Sequence, residues 1–222
     1  MIYLFAFIVL LTILYFLSRG ITQNFSRLFF RITKSRKWTH NFLAILFLPG
    51  IFLHEVAHFL MALILFVPVG QIEIKPEILD DGKVRMGSVP VAKTDFLRRF
   101  LIGVAPLLAG VSVIFLGLYY LPLNSYIPVV FAYTLTAYLV FVVGNTMFMS
   151  RSDLEGSWVL LVFILIIVVT FYLLGIRVSL DTGSILTSDI VYIFKQAVFF
   201  FSILVGVDLL VLLILKKFKI VV

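Results

Sequence analysis

The chain has 222 residues, 63% of them hydrophobic and 13% charged, where a soluble domain is about half apolar and a quarter charged. This excludes an ordinary water-soluble globule and points to an all-α polytopic membrane protein. The absence of cysteine excludes a disulfide framework, thiolate catalysis and a cysteine-based metal site; the net charge of +7 comes from basic residues flanking apolar runs, which suits anionic lipid headgroups and argues against nucleic acid as a partner.

About 20 apolar residues cross a bilayer as a helix, and on that scale six spans are predicted. The first is Ile2 to Leu17. It lacks a basic start and a small-x-small cleavage site, so it reads as a retained span rather than a signal peptide. Ser18 to His40 follows, carrying Arg19, Arg27, Arg31, Lys34, Arg36 and Lys37. Phe25, Leu28, Phe29 and Ile32 recur there at helical spacing, which fits an interfacial amphipathic helix or a solvated loop. The second span is Phe42 to Phe66. Pro49-Gly50 within it predicts a kink or a helix start near Gly50.

The second span also holds His54-Glu55-Val56-Ala57-His58. Residues i and i+4 share a helix face, so both imidazoles point the same way. HExxH on a helix is the zinc-hydrolase pattern: two histidine ligands, with the glutamate as general base towards the attacking water. From Asn41 to Val69 only His54, Glu55 and His58 can ionise. Three such groups in a membrane-length helix are costly, and intramembrane ionisable residues default to a functional reading. A metal ion supplies the partner they lack.

Gln71 to Asp95 has a different pattern. Gln71-Ile72-Glu73-Ile74-Lys75 and Lys83-Val84-Arg85-Met86 alternate polar with apolar, and Asp80-Asp81-Gly82 between them is a turn signal. A β-hairpin is therefore predicted directly after the HExxH helix. Ser88-Val89-Pro90-Val91 continues it as an edge strand, where proline is tolerated. The third span is Phe100 to Leu121, containing Ala105-Pro106, and the fourth is Ile127 to Met149. The polar stretch Ser150 to Gly156 comes next, then a fifth span, Trp158 to Ile176. A loop with Arg177, Asp181 and Asp189 leads to the sixth span, Ile190 to Leu215, which closes on Lys216, Lys217 and Lys219. The chain divides into residues 1–40, a core at 41–156, and a two-span portion at 157–222. It contains no internal repeat.

A catalytic zinc takes three protein ligands and keeps one position open. His40 is the only other histidine. It stands about 21 Å from His54 along a continuous helix, so it joins the site only if the helix breaks at Pro49. The third ligand is then a carboxylate. Glu73, Glu77, Asp80, Asp81 and Asp95 belong to the hairpin region and are mostly explained by strand and turn chemistry. Asp153 and Glu155 are better placed, in a tight polar stretch after a long apolar span. Asp208, inside the sixth span, is a further candidate, because a buried acid there needs a partner.

His54-Glu55-Val56-Ala57-His58 followed by Phe59-Leu60-Met61-Ala62 resembles the zinc helix of the site-2 protease family of intramembrane metalloproteases. In that family a second motif, asparagine then prolines then Leu-Asp-Gly, supplies the third ligand. Asn145 precedes Asp153 at the family's spacing, so the resemblance implies Asp153 as third ligand and Asn145 as a substrate- or geometry-holding residue. It also implies the hairpin after the zinc helix and the proline motif at Ala105-Pro106. The sequence departs from the pattern at Phe148 and Ser150, where the family has prolines, at Leu154 after Asp153, and at Ala105 before Pro106. The resemblance covers about half the chain, from Leu48 to Gly156.

The expected activity is that of a zinc-dependent (Zn2+) intramembrane endopeptidase acting on transmembrane proteins or peptides. Glu55 is the expected catalytic base and His54, His58 and Asp153 the expected metal ligands. A helix shields its own carbonyls, so the substrate must be extended at the scissile bond. The strand Val84 to Val91, through Val84, Met86 and Val89, is expected to supply that extension by β-augmentation. The alternative is a metal-binding transporter or scaffold with a degenerate site, in which Asp208, Lys195 and Asp189 would matter; repeated halves, common in transporters, are absent. Alternating spans put ten basic residues on the hairpin side and seven on the other, so the positive-inside rule and the family's habit both expect a cell-membrane protein with its active site towards the cytoplasm.

Overall fold

The computed structural model describes residues 2–73, 77–78, 84–85, 87–120, 128–148, 153 and 188–220. Among these residues, five helices are long and apolar enough to cross a membrane. They are α1 (Ile2–Thr33), α2 (Arg36–Ile64), α3 (Phe96–Tyr120), α4 (Val129–Thr146) and α5 (Ser188–Ile220). The predicted span from Trp158 to Ile176 lies outside the described residues.

Helix α1 is one continuous helix, so the basic segment after Leu17 is neither a loop nor a separate interfacial helix up to Thr33. Ile21, Phe25 and Phe29 lie on one face and pack against Leu43 and Phe47 of α2. Polar side chains satisfy the helix itself: Thr22 Oγ1 donates to the Ser18 carbonyl at 3.0 Å and Asn24 Nδ2 to the Gly20 carbonyl at 2.8 Å. Lys34, with φ of 53°, turns the chain into α2, which runs back antiparallel. Phe29 meets Phe42 with ring centroids 4.5 Å apart.

Helix α2 starts at Arg36 and passes through Pro49. No helix start occurs at Gly50, contrary to one of the two outcomes expected there. Neighbouring helices hold the stretch: Tyr138 of α4 donates its hydroxyl to the Leu46 carbonyl at 2.8 Å. Because α2 does not break, His40 stays a long way from His54, and its Nδ1 has no hydrogen-bond partner among the described residues.

After α2 the chain doubles back on itself. Val69 bridges Val91 and Glu73 bridges Ser88, both antiparallel. Further out, β1 (Glu77–Ile78) pairs with β2 (Val84–Arg85), Glu77 opposite Arg85. Between the first two bridges one side has an extra residue, which is how a bulge arises. Pro90 needs no donor there, and its carbonyl accepts from Gly70 N at 2.8 Å. The turn residues Asp80 to Gly82 lie outside the described residues. Asp95 caps α3, accepting from Arg98 N at 3.0 Å and pairing with Arg98 Nε at 3.2 Å; that backbone bond holds its carboxyl below the usual carboxylate range.

Helix α5 lies along α1. Phe7 meets Phe194 and Phe201, and a Cβ on Gly20 would stand 3.5 Å from Leu212, so both helices run the same way. Six alternating spans would put the last antiparallel to the first; the observed order is parallel. The C-terminal lysines therefore stand at the Lys34 end rather than the hairpin end. Among the described residues, Arg85, Lys93, Arg98 and Arg99 stand at the hairpin end, whereas Arg27, Arg31, Lys34, Arg36, Lys37, Lys216 and Lys217 stand at the other, and this distribution does not favour a cytoplasmic hairpin. The buried core lies where α1, α3, α4 and α5 meet: Leu14, Ile114, Val143, Met147, Phe201 and Leu204. Ile45, Phe52 and Leu213 are among the large apolar side chains left exposed on the helices' outer faces.

Candidate metal centre

His54 and His58 sit one turn apart on α2, about 15 and 9 Å before its end at Ile64. Their Nε2 atoms are 3.2 Å apart. Asp153 faces both, one carboxylate oxygen 3.5 Å from His54 Nε2 and the other 3.5 Å from His58 Nε2. The three side chains form a group able to hold a metal ion. Donors about 2.0–2.1 Å from a tetrahedral zinc stand about 3.3–3.4 Å from one another, and the separations of 3.2 and 3.5 Å bracket that value. Two imidazoles and a carboxylate, with no sulfur, also match the donor chemistry of catalytic zinc sites.

The backs of the two rings explain why the fronts converge. His54 Nδ1 lies 2.8 Å from the Thr146 carbonyl, and His58 Nδ1 lies 2.8 Å from the Ile102 carbonyl. A carbonyl only accepts, so each Nδ1 carries the proton and each neutral ring turns an Nε2 lone pair inward. Two lone pairs and a carboxylate at this range need a positive charge between them, a proton or a metal ion.

Both carbonyls are released by the local sequence. Pro106 has no N–H, so the Ile102 carbonyl four residues earlier in α3 lacks its helical donor. Thr146 is the last residue of α4, where the final carbonyls have no intrahelical partner. His58 and His54 take up these two orphaned acceptors.

Three glycines let the backbones come close enough. Gly50 is one turn before His54 on the same face of α2; a Cβ there would collide with Thr146 Oγ1 and stand 2.8 Å from the Val142 carbonyl. A Cβ on Gly103 would collide with the Asp153 carbonyl, so the backbone of Asp153 rests in the space beside α3. A Cβ on Gly87 would stand 2.9 Å from Glu55 Oε1 and 3.0 Å from Ile51 Cγ2. The chain leaving the paired strands thus lies directly on the buried carboxyl of Glu55, which is 7% exposed.

Of the residues singled out from sequence, His54, His58 and Asp153 come together, with Glu55 buried on the same helix. Asn145 is close by but turned away: its Nδ2 donates to Asp208 Oδ1 at 3.1 Å and to the Phe141 carbonyl at 2.9 Å. Asp208, a candidate ligand, therefore binds Asn145 and is no part of the metal group. Among the hairpin acids, Glu73 is exposed and Asp95 is engaged with Arg98. Val84 pairs with Ile78 and Val89 is half-buried, whereas Met86 and Glu155 lie outside the described residues. Sequence reading missed Ile102, Gly87 and Gly103, and it missed the parts that Thr146 and Gly50 play in building the site. A proline four residues after Ile102 and a glycine four residues before His54 were the available signals.

No family model, curated protein or solved structure matches this chain.

Proposed function

We propose that the protein is a zinc-dependent intramembrane endopeptidase of the kind that its HEVAH helix and Asn145–Asp153 spacing resemble, the site-2 proteases. The observation that carries this reading is the convergence of two Nε2 lone pairs and the Asp153 carboxylate within 3.5 Å, beside buried Glu55, inside a membrane-length helix. Zinc held there supplies Lewis acidity towards a water and a peptide carbonyl.

The chain's own residues do the rest. His54 and His58 present Nε2 because Thr146 and Ile102 hold their other nitrogens. Glu55 takes the proton of the attacking water and delivers it to the leaving amine. Burial within the helix bundle keeps bulk water from this carboxylate and strengthens its interactions. The segment carrying Gly87 lies on Glu55, so an extended substrate would add there by backbone hydrogen bonding, between Val84 and Val89. The substrate is a membrane-embedded protein or peptide, and the surrounding partner is lipid. In the orientation common to that family, the strand end faces the cytoplasm.

Reconstituting the protein with a single-span test substrate checks the reading. Wild type should cleave it and Glu55→Gln should not, with equal zinc in both samples. Equal cleavage by Glu55→Gln would exclude this carboxylate as the base.

A further inference from the structure

Asp208 has no place in the mechanism above, and its surroundings are unusual. It is 0% exposed, in the middle of an apolar helix. Leu204 and Val205, one turn earlier on its own helix, are buried in one apolar cluster with Val143 of α4 and with Met147 just past its end. Its one hydrogen bond among the described residues comes from Asn145 Nδ2 at 3.1 Å; its Oδ2 and Asn145 Oδ1 have none. Burying an acid against a single amide is costly, and a well-packed apolar residue of similar volume would serve stability at least as well. Stability therefore does not explain the pair.

Its location does. Asn145 immediately precedes Thr146, whose carbonyl orients His54. Helix α4 ends at Thr146, so no further helical turn fixes that carbonyl's direction. Thr146 Oγ1 bonds back to the Val142 carbonyl at 2.9 Å and ties α4 to nothing else. Asn145 to Asp208 is the side-chain hydrogen bond that anchors this last turn to α5.

We infer that Asp208 is a positioning residue for the metal centre: through Asn145 it holds the last turn of α4, so that the Thr146 carbonyl meets His54 Nδ1 and the Nε2 of that ring faces Asp153. The inference rests on the metal reading for one of its two tests only.

Asp208→Leu removes the acceptor at similar volume. Asp208→Asn keeps an acceptor oxygen. The double exchange Asn145→Asp with Asp208→Asn restores an amide–carboxylate pair with the roles reversed. The first readout is zinc affinity by chelator competition. The second is the tautomer of His54 in metal-free protein, read by NMR on isotope-labelled histidine. Asp208→Leu should lose roughly 10–100-fold in zinc affinity, as loss of an outer-shell partner does, and should show a smaller share of the Nδ1–H tautomer. Asp208→Asn should stay within about threefold, and the double exchange should recover most of the loss. A folded Asp208→Leu protein with wild-type zinc affinity and wild-type His54 tautomer would overturn the inference. Where that variant does not fold, Asn145→Ala severs the same bond from α4, with the same two outcomes. If wild type takes up no zinc, the metal reading fails, and the tautomer alone then decides the role of Asp208.

Discussion

Replacing Gly50 by alanine tests how the helices build the site. The new Cβ would stand 2.8 Å from the Val142 carbonyl and 2.9 Å from Val142 Cγ1, and ordinary contact begins at 3.4 Å. Because Val142 presents rigid backbone, α2 and α4 must part by about 0.6 Å, the shortfall from 2.8 to 3.4 Å. If that movement passes to the next turn, the bond from His54 Nδ1 to the Thr146 carbonyl lengthens from 2.8 Å to about 3.4 Å, outside the N–H···O range. Loss of an outer-shell partner weakens metal binding about 10–100-fold, or about 1.4–2.7 kcal/mol. The assay is zinc competition against a chromophoric chelator in detergent. Gly117→Ala is the control, because among the described residues nothing beyond its own helix backbone and chain neighbours lies within 4 Å of the added Cβ, and it should bind zinc as wild type does. A folded Gly50→Ala protein with wild-type zinc affinity would refute the proposed link between the α2–α4 approach and His54.

Three further outcomes follow from the same geometry. Gly87→Ala should displace the Glu55 carboxyl by about 0.5 Å, from 2.9 to 3.4 Å, and lower cleavage roughly tenfold with zinc content unchanged; full activity would mean that this segment leaves Glu55 in use. Pro106→Ala returns an N–H to the Ile102 carbonyl, which then serves two donors; zinc affinity should fall by a few-fold, and an unchanged value would show that Pro106 has no part in presenting His58. The chain has no cysteine, so single cysteines at Lys34 and Lys93 report orientation by impermeant labelling of intact cells. The protease reading expects Lys34→Cys labelled and Lys93→Cys protected, and the reverse pattern would support the basic-residue distribution instead.

Much of the fold was legible because periodicity and length govern it: apolar runs of bilayer length appear as α1 to α5. The extent of α1 was not legible, because Ser18 to Thr33 is polar by composition and is helical through packing of Ile21, Phe25 and Phe29 on α2. The direction of α5 was equally hidden, since alternation is only a default and contacts such as Phe7 with Phe201 decide it. At the site, His54, Glu55 and His58 are read from spacing on one helix. Asp153 stood beside Glu155 as a candidate from its polar stretch, and only a resemblance singled it out, because it lies 95 positions after His58 in sequence and no local rule links them. The supporting carbonyls are backbone atoms, invisible to residue type; Pro106 and Gly50 betray them only once the helices are placed side by side.

The most direct test of the central claim is X-ray absorption on zinc-loaded wild type beside Asp153→Ala, with metal content measured on both. Wild type should hold one zinc with two imidazole nitrogens and oxygen ligands at about 2.0–2.2 Å and no sulfur, and Asp153→Ala should lose most of its zinc. A wild-type protein that takes up no zinc, or an Asp153→Ala protein whose zinc content and ligand shell are unchanged, would contradict the assignment of His54, His58 and Asp153 as the metal centre.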